Sequence, residues 1–294
     1  MALNIYMEQS AVRDGVTAEE VKGILLGMAS GQETLLGYFR RFIRNFEKRV
    51  GINRTVGSLR AYSNAYSHIE RFLQAQYKLS DIPFSALDRS FINKYDLYLR
   101  TERNLAPGTI INLTVQLKTI VGEAIADGII TASPFMGYEP VRPKHVQKYL
   151  TAEELHRIMT TPLHRQTLYH VRDMFLFSCF TGIPYGDMRL LTKDNLCLAE
   201  DGIWWIKSAR QKTKIEFEIP LLDLPLQILK KYSGTAPGDK LLPMYCNSTL
   251  NLYLKEIARI CHIDRPLVFH AGRHTYATEI TLSHGVPLET VSRM

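Results

Sequence analysis

The sequence predicts a mainly α-helical protein of two domains, the second a mixed α+β unit with one small β-hairpin or sheet. Apolar residues return at steps of three and four through most of the chain, the spacing of a helix face. One stretch, residues 203–219, holds two apolar-rich runs around a polar turn, as a hairpin does. Between Ser133 and Tyr149, Pro134, Pro140 and Pro143 break the helical pattern and mark a linker. With 294 residues, 46% of them hydrophobic, there is enough apolar surface for a core in each domain.

A lead-in helix is expected within residues 1–30, because Thr17 and Glu20 have the spacing of a capping box for a helix running to about Met28. Residues 31–132 read as a small all-α bundle. Its first helix, Thr34 to Val50, puts Phe39, Phe42, Ile43, Phe46 and Val50 on one face and Arg40, Arg41, Arg44 and Lys48 opposite. From Arg40 to Arg60 the only acid is Glu47. That basic run reads equally as a solvated helix face or as a set of backbone-phosphate contacts. The next helix, Val56 to Tyr77, carries the seam Leu59, Tyr62, Tyr66, Ile69 and Leu73, whose tyrosines read as core rather than as base-stacking groups. A short helix over Ser90–Thr101 follows. Pro107-Gly108-Thr109 then opens a long one with Leu113, Leu117, Ile120 and Ala124, ended by Asp127-Gly128.

Residues 133–150 form the linker, where Arg142, Lys144 and Lys148 give either a basic lining or an ordinary solvated tether. The second domain, residues 151–294, opens with another capping-box pattern at Thr151-Ala152-Glu153-Glu154. An apolar helix from about Leu168 to Phe180 ends in the turn Phe180-Thr181-Gly182-Ile183-Pro184-Tyr185-Gly186-Asp187. The strands Ile203–Ile206 and Lys214–Ile219 flank the turn Arg210-Gln211-Lys212-Thr213, and helices resume at Leu222–Tyr232 and Ser248–Cys261.

The stretch richest in chemistry is Phe269-His270-Ala271-Gly272-Arg273-His274-Thr275. On a helix, His270 and Arg273 share a face, so an imidazole and a guanidinium can converge on one anion. A guanidinium matches two phosphate oxygens and stays charged at any working pH. His270 and His274 also raise a zinc alternative, but no glutamate lies between them and no third ligand stands at a recognisable spacing. The net charge of +7 and pI near 9.1 suit a polyanionic partner. Cut after Lys144, the halves hold 18 basic against 14 acidic and 18 against 15 residues, so both suit that partner. Cys179, Cys197, Cys246 and Cys261 form no CxxC pair, which indicates neither a zinc site nor a disulfide framework and makes a reducing cytoplasm the expectation. No apolar run reaches the length of a membrane span, and no signal-peptide pattern opens the chain.

Three blocks in order, Phe180-Thr181-Gly182, Arg210-Gln211-Lys212-Thr213 and His270-Ala271-Gly272-Arg273-His274-Thr275, make the chain resemble the tyrosine recombinase (phage integrase) family, in particular integrases of Bacteroidetes mobile elements. The resemblance implies a SAM-like core-binding domain before the linker and an integrase catalytic domain after it. It implies a site-specific DNA recombinase that needs no metal and no cofactor, binds double-stranded DNA, and works as a homo-tetramer on paired sites. In such an enzyme a tyrosine hydroxyl attacks the scissile phosphate. Cations stabilise the phosphoryl oxygens, an acid protonates the leaving 5′ oxygen, and a base takes the tyrosine proton. Carried over by position, Arg273 resembles the phosphate-clamping arginine, His270 the acid/base histidine and Lys212 the general acid, with Lys214 as the alternative for that last role.

Two departures stand out. Where the family has its first catalytic arginine, two residues after the Thr-Gly pair, this chain has Pro184. Arg172 on the preceding helix is the expected substitute, with Arg189 next. The family pattern also continues into a Leu-Gly-His block and the nucleophilic tyrosine beyond Met294. The expectation is therefore a C-terminally truncated integrase, shortened at its N-terminus as well, that binds DNA without cleaving it. The alternative is a non-catalytic DNA-binding regulator derived from an integrase.

Overall fold

In the computed structural model, which describes Lys22, residues 32–143 and residues 147–293, the aromatic face expected after Thr34 forms helix α1, Leu35–Glu47. Leu35, Leu36, Phe39 and Phe46 are buried on it. Thr34 makes no side-chain cap; instead the Asp81 carboxylate accepts from the Leu36 and Gly37 amides at 2.8 and 3.0 Å. A carboxylate there offsets the positive end of the helix and satisfies two of its orphan donors. Helix α2, Val56–Phe72, is capped by Thr55 and runs on as a wider turn to Tyr77, where Lys78 stops it in the left-handed region. Tyr62 and Tyr66 pack edge-on against Phe39 and Phe42, as core residues do.

Helix α3, Arg89–Thr101, is capped by Asp88, and α4, Pro107–Ala126, starts on a proline already set at the helical φ. Phe72 gathers Phe91, Tyr95 and Tyr98 around it, and the Tyr38 hydroxyl donates to Asp127 at 2.7 Å, tying α1 to the end of α4. The chain divides into two compact units, residues 1–145 and 146–294, each with its own core. The division falls inside the stretch read as a linker. The lead-in helix over Thr17–Met28, apart from Lys22, and Lys144 lie outside the described residues.

The second unit begins with α5, Ala152–Thr160, whose capping box between Thr151 and Glu154 forms as its sequence requires. Glu154 is also gripped by both terminal nitrogens of Arg265, one of them at 2.6 Å. The central helix is α6, Gln166–Thr181, buried along most of its length. It ends at Gly182, φ +67°, and a single turn, α7, Tyr185–Met188, follows.

The sheet has three antiparallel strands in the order β1 (Leu196–Leu198), β2 (Trp204–Ala209) and β3 (Glu216–Pro220), with Ile206 opposite Ile219. Strand β1 has no counterpart in the sequence reading, and β3 starts two residues later than expected. The turn takes those residues: Lys214 is left-handed at φ +60°, its amide bonds to the Arg210 carbonyl, and the Arg210 amide bonds to Ile215. Helices α8 (Asp223–Lys231) and α9 (Asn247–Ile260) cover α6, and α10 (Ala271–Thr275) packs on it before a wider turn and α11 (Leu288–Arg293). Among the described residues no helix is long and apolar enough to cross a membrane.

Two residues of the second unit carry testable consequences. A β-carbon at position 182 would sit 2.4 Å from Tyr276 Cδ1, besides adopting a positive φ. Gly182→Ala should cost about 2 kcal/mol or more of unfolding free energy, read by urea denaturation. At Glu154 the hydrogen bonds from Arg265 hold the carboxyl below its ordinary value. A depressed folded-state value stabilises above the unfolded value of about 4.3 and is lost as pH falls through the lower folded value. Glu154→Gln should therefore cost about 1–3 kcal/mol at neutral pH, with the gap from wild type closing below about pH 4 in acid titrations of stability.

Candidate active site

His270 stands at the N-cap of α10 and Arg273 in its first turn, so the helix head positions both. Helix α10 lies close to α6 because Gly272 has no side chain: a β-carbon there would meet Ser178 Oγ at 2.9 Å. From this position Arg273 Nη1 donates to the Gly182 carbonyl at 2.7 Å. Burial, and then the charge of Arg210, hold its guanidinium below the usual arginine range.

Arg210, the first residue of the hairpin turn, is brought to the same place by Asp187. This buried carboxylate accepts from Arg210 Nη1 at 3.4 Å and from the Gln211 amide at 3.0 Å. The Arg210 guanidinium also lies on the Phe217 ring, 4.7 Å from its centroid. Arg210, Lys212 and Arg273 together line a cavity of about 450 Å³, with Pro184, Gly186 and Asp187 on its wall. Lys212 is exposed there, and Lys214 is not among the lining residues.

His270 is exposed and lines a separate cavity of about 680 Å³ with Lys148, Tyr149, Arg265 and His274. Its ring meets that of His274 edge-on at 4.8 Å. Burial first, then the nearby His270 and Lys148, push the His274 imidazole below the ordinary histidine value. Among the described residues no group of three or more His, Cys, Asp or Glu is placed to hold a metal ion. His270 and Arg273 thus flank the head of one short helix but line two different cavities with no lining residue in common, rather than converging on one.

Arg172 is elsewhere. Its guanidinium donates to the carbonyls of Thr161 at 3.0 Å and Ile158 at 3.4 Å, and lies on the Tyr169 ring. Those carbonyls belong to the C-terminal end of α5, whose unpaired acceptors and negative dipole end attract a cation. The arginine that stands with Arg273 is Arg210, not Arg172. Its place in the hairpin block was visible in the sequence, but its partner Asp187 is 23 residues away. Arg189 is exposed. Among the described residues no tyrosine lines the Arg210–Arg273 cavity: Tyr276 covers Gly182, and Tyr185 packs on Phe269.

On the first unit, Arg40 donates to the Tyr66 hydroxyl at 2.6 Å, and Arg41 pairs with Glu33 at 3.0 Å while lying on Tyr38. Arg44 on the same helix and Lys48 at its C-cap are exposed, as are Arg142 and Lys148 in the linker stretch. The basic run is therefore partly spent on contacts within its own domain.

Comparison with known proteins agrees with this architecture. Residues 34–140 match the phage integrase SAM-like domain, and residues 148–294 match the phage integrase family. The chain is 23% identical over 257 residues to the tyrosine recombinase XerD of Listeria monocytogenes serovar 1/2a, covering 82% of this chain and 84% of that one. It is similar to the Tn1549 transposon integrase in complex with transposon right end DNA, with TM-score 0.68 and 18% identity over 89% of this chain and 90% of that one. It is also similar to a lambda integrase tetramer bound to a Holliday junction, with TM-score 0.67 and 17% identity over 90% and 77%. With a helical first unit, a small antiparallel sheet in the second and family matches across both units, the chain belongs to the phage integrase family, the tyrosine recombinases.

Proposed function

We propose that this chain binds double-stranded DNA as a site-specific recombinase of the tyrosine type does, with Arg273 and Arg210 clamping the diester at which the family's tyrosine carries out transesterification, and without such a tyrosine in the cavity among the described residues. The observation that carries this reading is the convergence of Arg210, Lys212 and Arg273 on one cavity. Two guanidiniums match the non-bridging oxygens on which charge builds, and a partly desolvated setting strengthens their pull. Lys212 is the general acid for the leaving 5′ oxygen. His270, beside the clamp, exchanges the nucleophile's proton. Arg210 takes the place left by Pro184, the role expected of Arg172. Arg44, Lys48, Arg142 and Lys148 supply phosphate contacts along the duplex, and the active assembly is a tetramer on paired sites in the cytoplasm.

Pro184 and the absence of a tyrosine from the cavity among the described residues favour a second reading for these 294 residues: DNA binding without cleavage, as in a regulator derived from an integrase. A nicked suicide duplex tests it. The expected result is a mobility shift with no covalent protein–DNA adduct on a denaturing gel; an adduct would establish a nucleophile within this chain.

The clamp has its own test. Affinity for duplex DNA should fall steeply with salt, the slope of log affinity against log salt changing by about 0.9 for each phosphate contact removed. Arg210→Ala and Arg273→Ala should each flatten that slope by about one contact, Arg210→Lys should keep it, and Arg172→Ala should leave it unchanged while lowering thermal stability. Equal slopes for Arg210→Ala and wild type, with Arg172→Ala flattened, would return the role to Arg172.

A further inference from the structure

The turn between α1 and α2 presents an apolar side chain that the fold does not use. Ile52 is 81% exposed, the most open of the large hydrophobic residues among those described, and Val56 nearby is 51% exposed. An isoleucine on a surface turn gains nothing from the protein's own interior, and a polar residue would serve the turn as well. The turn itself is tightly built. The Arg49 carbonyl accepts from the amides of Ile52, Asn53 and Arg54, and the Gly51 amide donates to the Arg54 carbonyl at 3.0 Å. Gly51 is left-handed at φ +86°, and Val50 and Arg54 form a bridge across the base. Arg49 Nε reaches Asn53 Oδ1 at 3.3 Å, and Arg54 lies on the Phe46 ring at 5.3 Å.

Ile52 is therefore held out on a rigid tip, and ordering the tip on binding costs little conformational entropy. Its flanks are cationic: Lys48, Arg49 and Arg54 are all exposed around it, against the single acid Glu47. A polyanion fits this chemistry, and in particular one whose charges flank an apolar slot. Stacked base pairs between two phosphate strands have that form, and branched aliphatic side chains serve elsewhere as wedges that partly unstack a base step and bend the duplex.

We propose that Ile52 is such a wedge, inserted at a base step of bound duplex DNA from the minor-groove side while Arg49 and Arg54 hold the flanking phosphates. The inference rests on the reading of this chain as a DNA-binding protein. It assigns to the α1–α2 turn the distortion of DNA, and to the cations beside it the affinity. Deformability of the step, rather than base-edge hydrogen bonds, would then set the sequence preference at that position.

The test uses the 294-residue chain bound to a relaxed plasmid, which a topoisomerase then re-equilibrates, so that any unwinding is locked in as a shift of linking number. Salt-dependent anisotropy on a short labelled duplex runs in parallel. Wild type should shift the topoisomers. Ile52→Ala should lose about half of the shift or more with its salt slope unchanged, and Ile52→Leu should restore it. Arg49→Ala with Arg54→Ala should flatten the salt slope by about two contacts. Two outcomes overturn the wedge: an equal topoisomer shift for Ile52→Ala and wild type, or a change of oligomeric state on Ile52→Ala with DNA distortion untouched. Failure of wild type to bind DNA even at low salt is a different result, and it would remove the DNA-binding reading itself.

Discussion

The site depends on one close approach, between the C-terminal end of α6 and the head of α10. Glycine stands on both sides of it. At 182 the chain must turn left-handed under the Tyr276 ring, and at 272 the helix backbone must pass Ser178 with no side chain between. Ser178 and Thr275 then spend their hydroxyls locally, on the carbonyls of Ile183 and Ala271, so no polar group is stranded at the contact. Arg273 crosses this junction to the Gly182 carbonyl. Its guanidinium is thereby fixed to backbone rather than to another mobile side chain, which suits a group that must meet a phosphate without rearranging.

A hairpin tip is a poor place to hold a charge in register, because loops are the mobile part of a fold. Asp187 corrects this at one end. Sitting in the turn after α6, it takes both a side-chain bond from Arg210 and the backbone amide of Gln211, so the start of the hairpin turn is tied to the same junction that places Arg273. Lys212, one residue further on, is exposed and has the freedom of the tip. That division gives the cavity one fixed cation and one that can follow a moving ligand.

Much of the fold was legible because it rests on local rules. The phenylalanine face of α1, the seam of α2, the proline start of α4 and the capping box of α5 are each written within a few residues, and each forms. What was not legible depends on distant partners. Strand β1 spans only Leu196–Leu198, too short for alternation to show, and exists because β2 pairs with it. The cap of α1 comes from Asp81 rather than from the adjacent Thr34. The choice between Arg172 and Arg210 is of the same kind: Arg172 lies on the helix before the Thr181-Gly182 turn and Arg210 in the hairpin block, and only the α5 carbonyls and Asp187 separate them.

The electrostatics of that choice favour an anionic ligand. Burial first, and then the charge of Arg210, lower the affinity of Arg273 for a proton, so the two like charges share a partly desolvated setting. Asp187 offsets some of this, but its geometry is committed to the hairpin, with one oxygen on Arg210 and the other on a backbone amide. A diester phosphate between the guanidiniums would add a negative charge with two equivalent oxygens, turning a repulsive pair into a bidentate site. The strain of holding like charges together would be relieved on binding, and relieved further by any negative charge building on the non-bridging oxygens. Interactions that strengthen along the reaction in this way lower its barrier, whereas those equal in the bound and activated states do not.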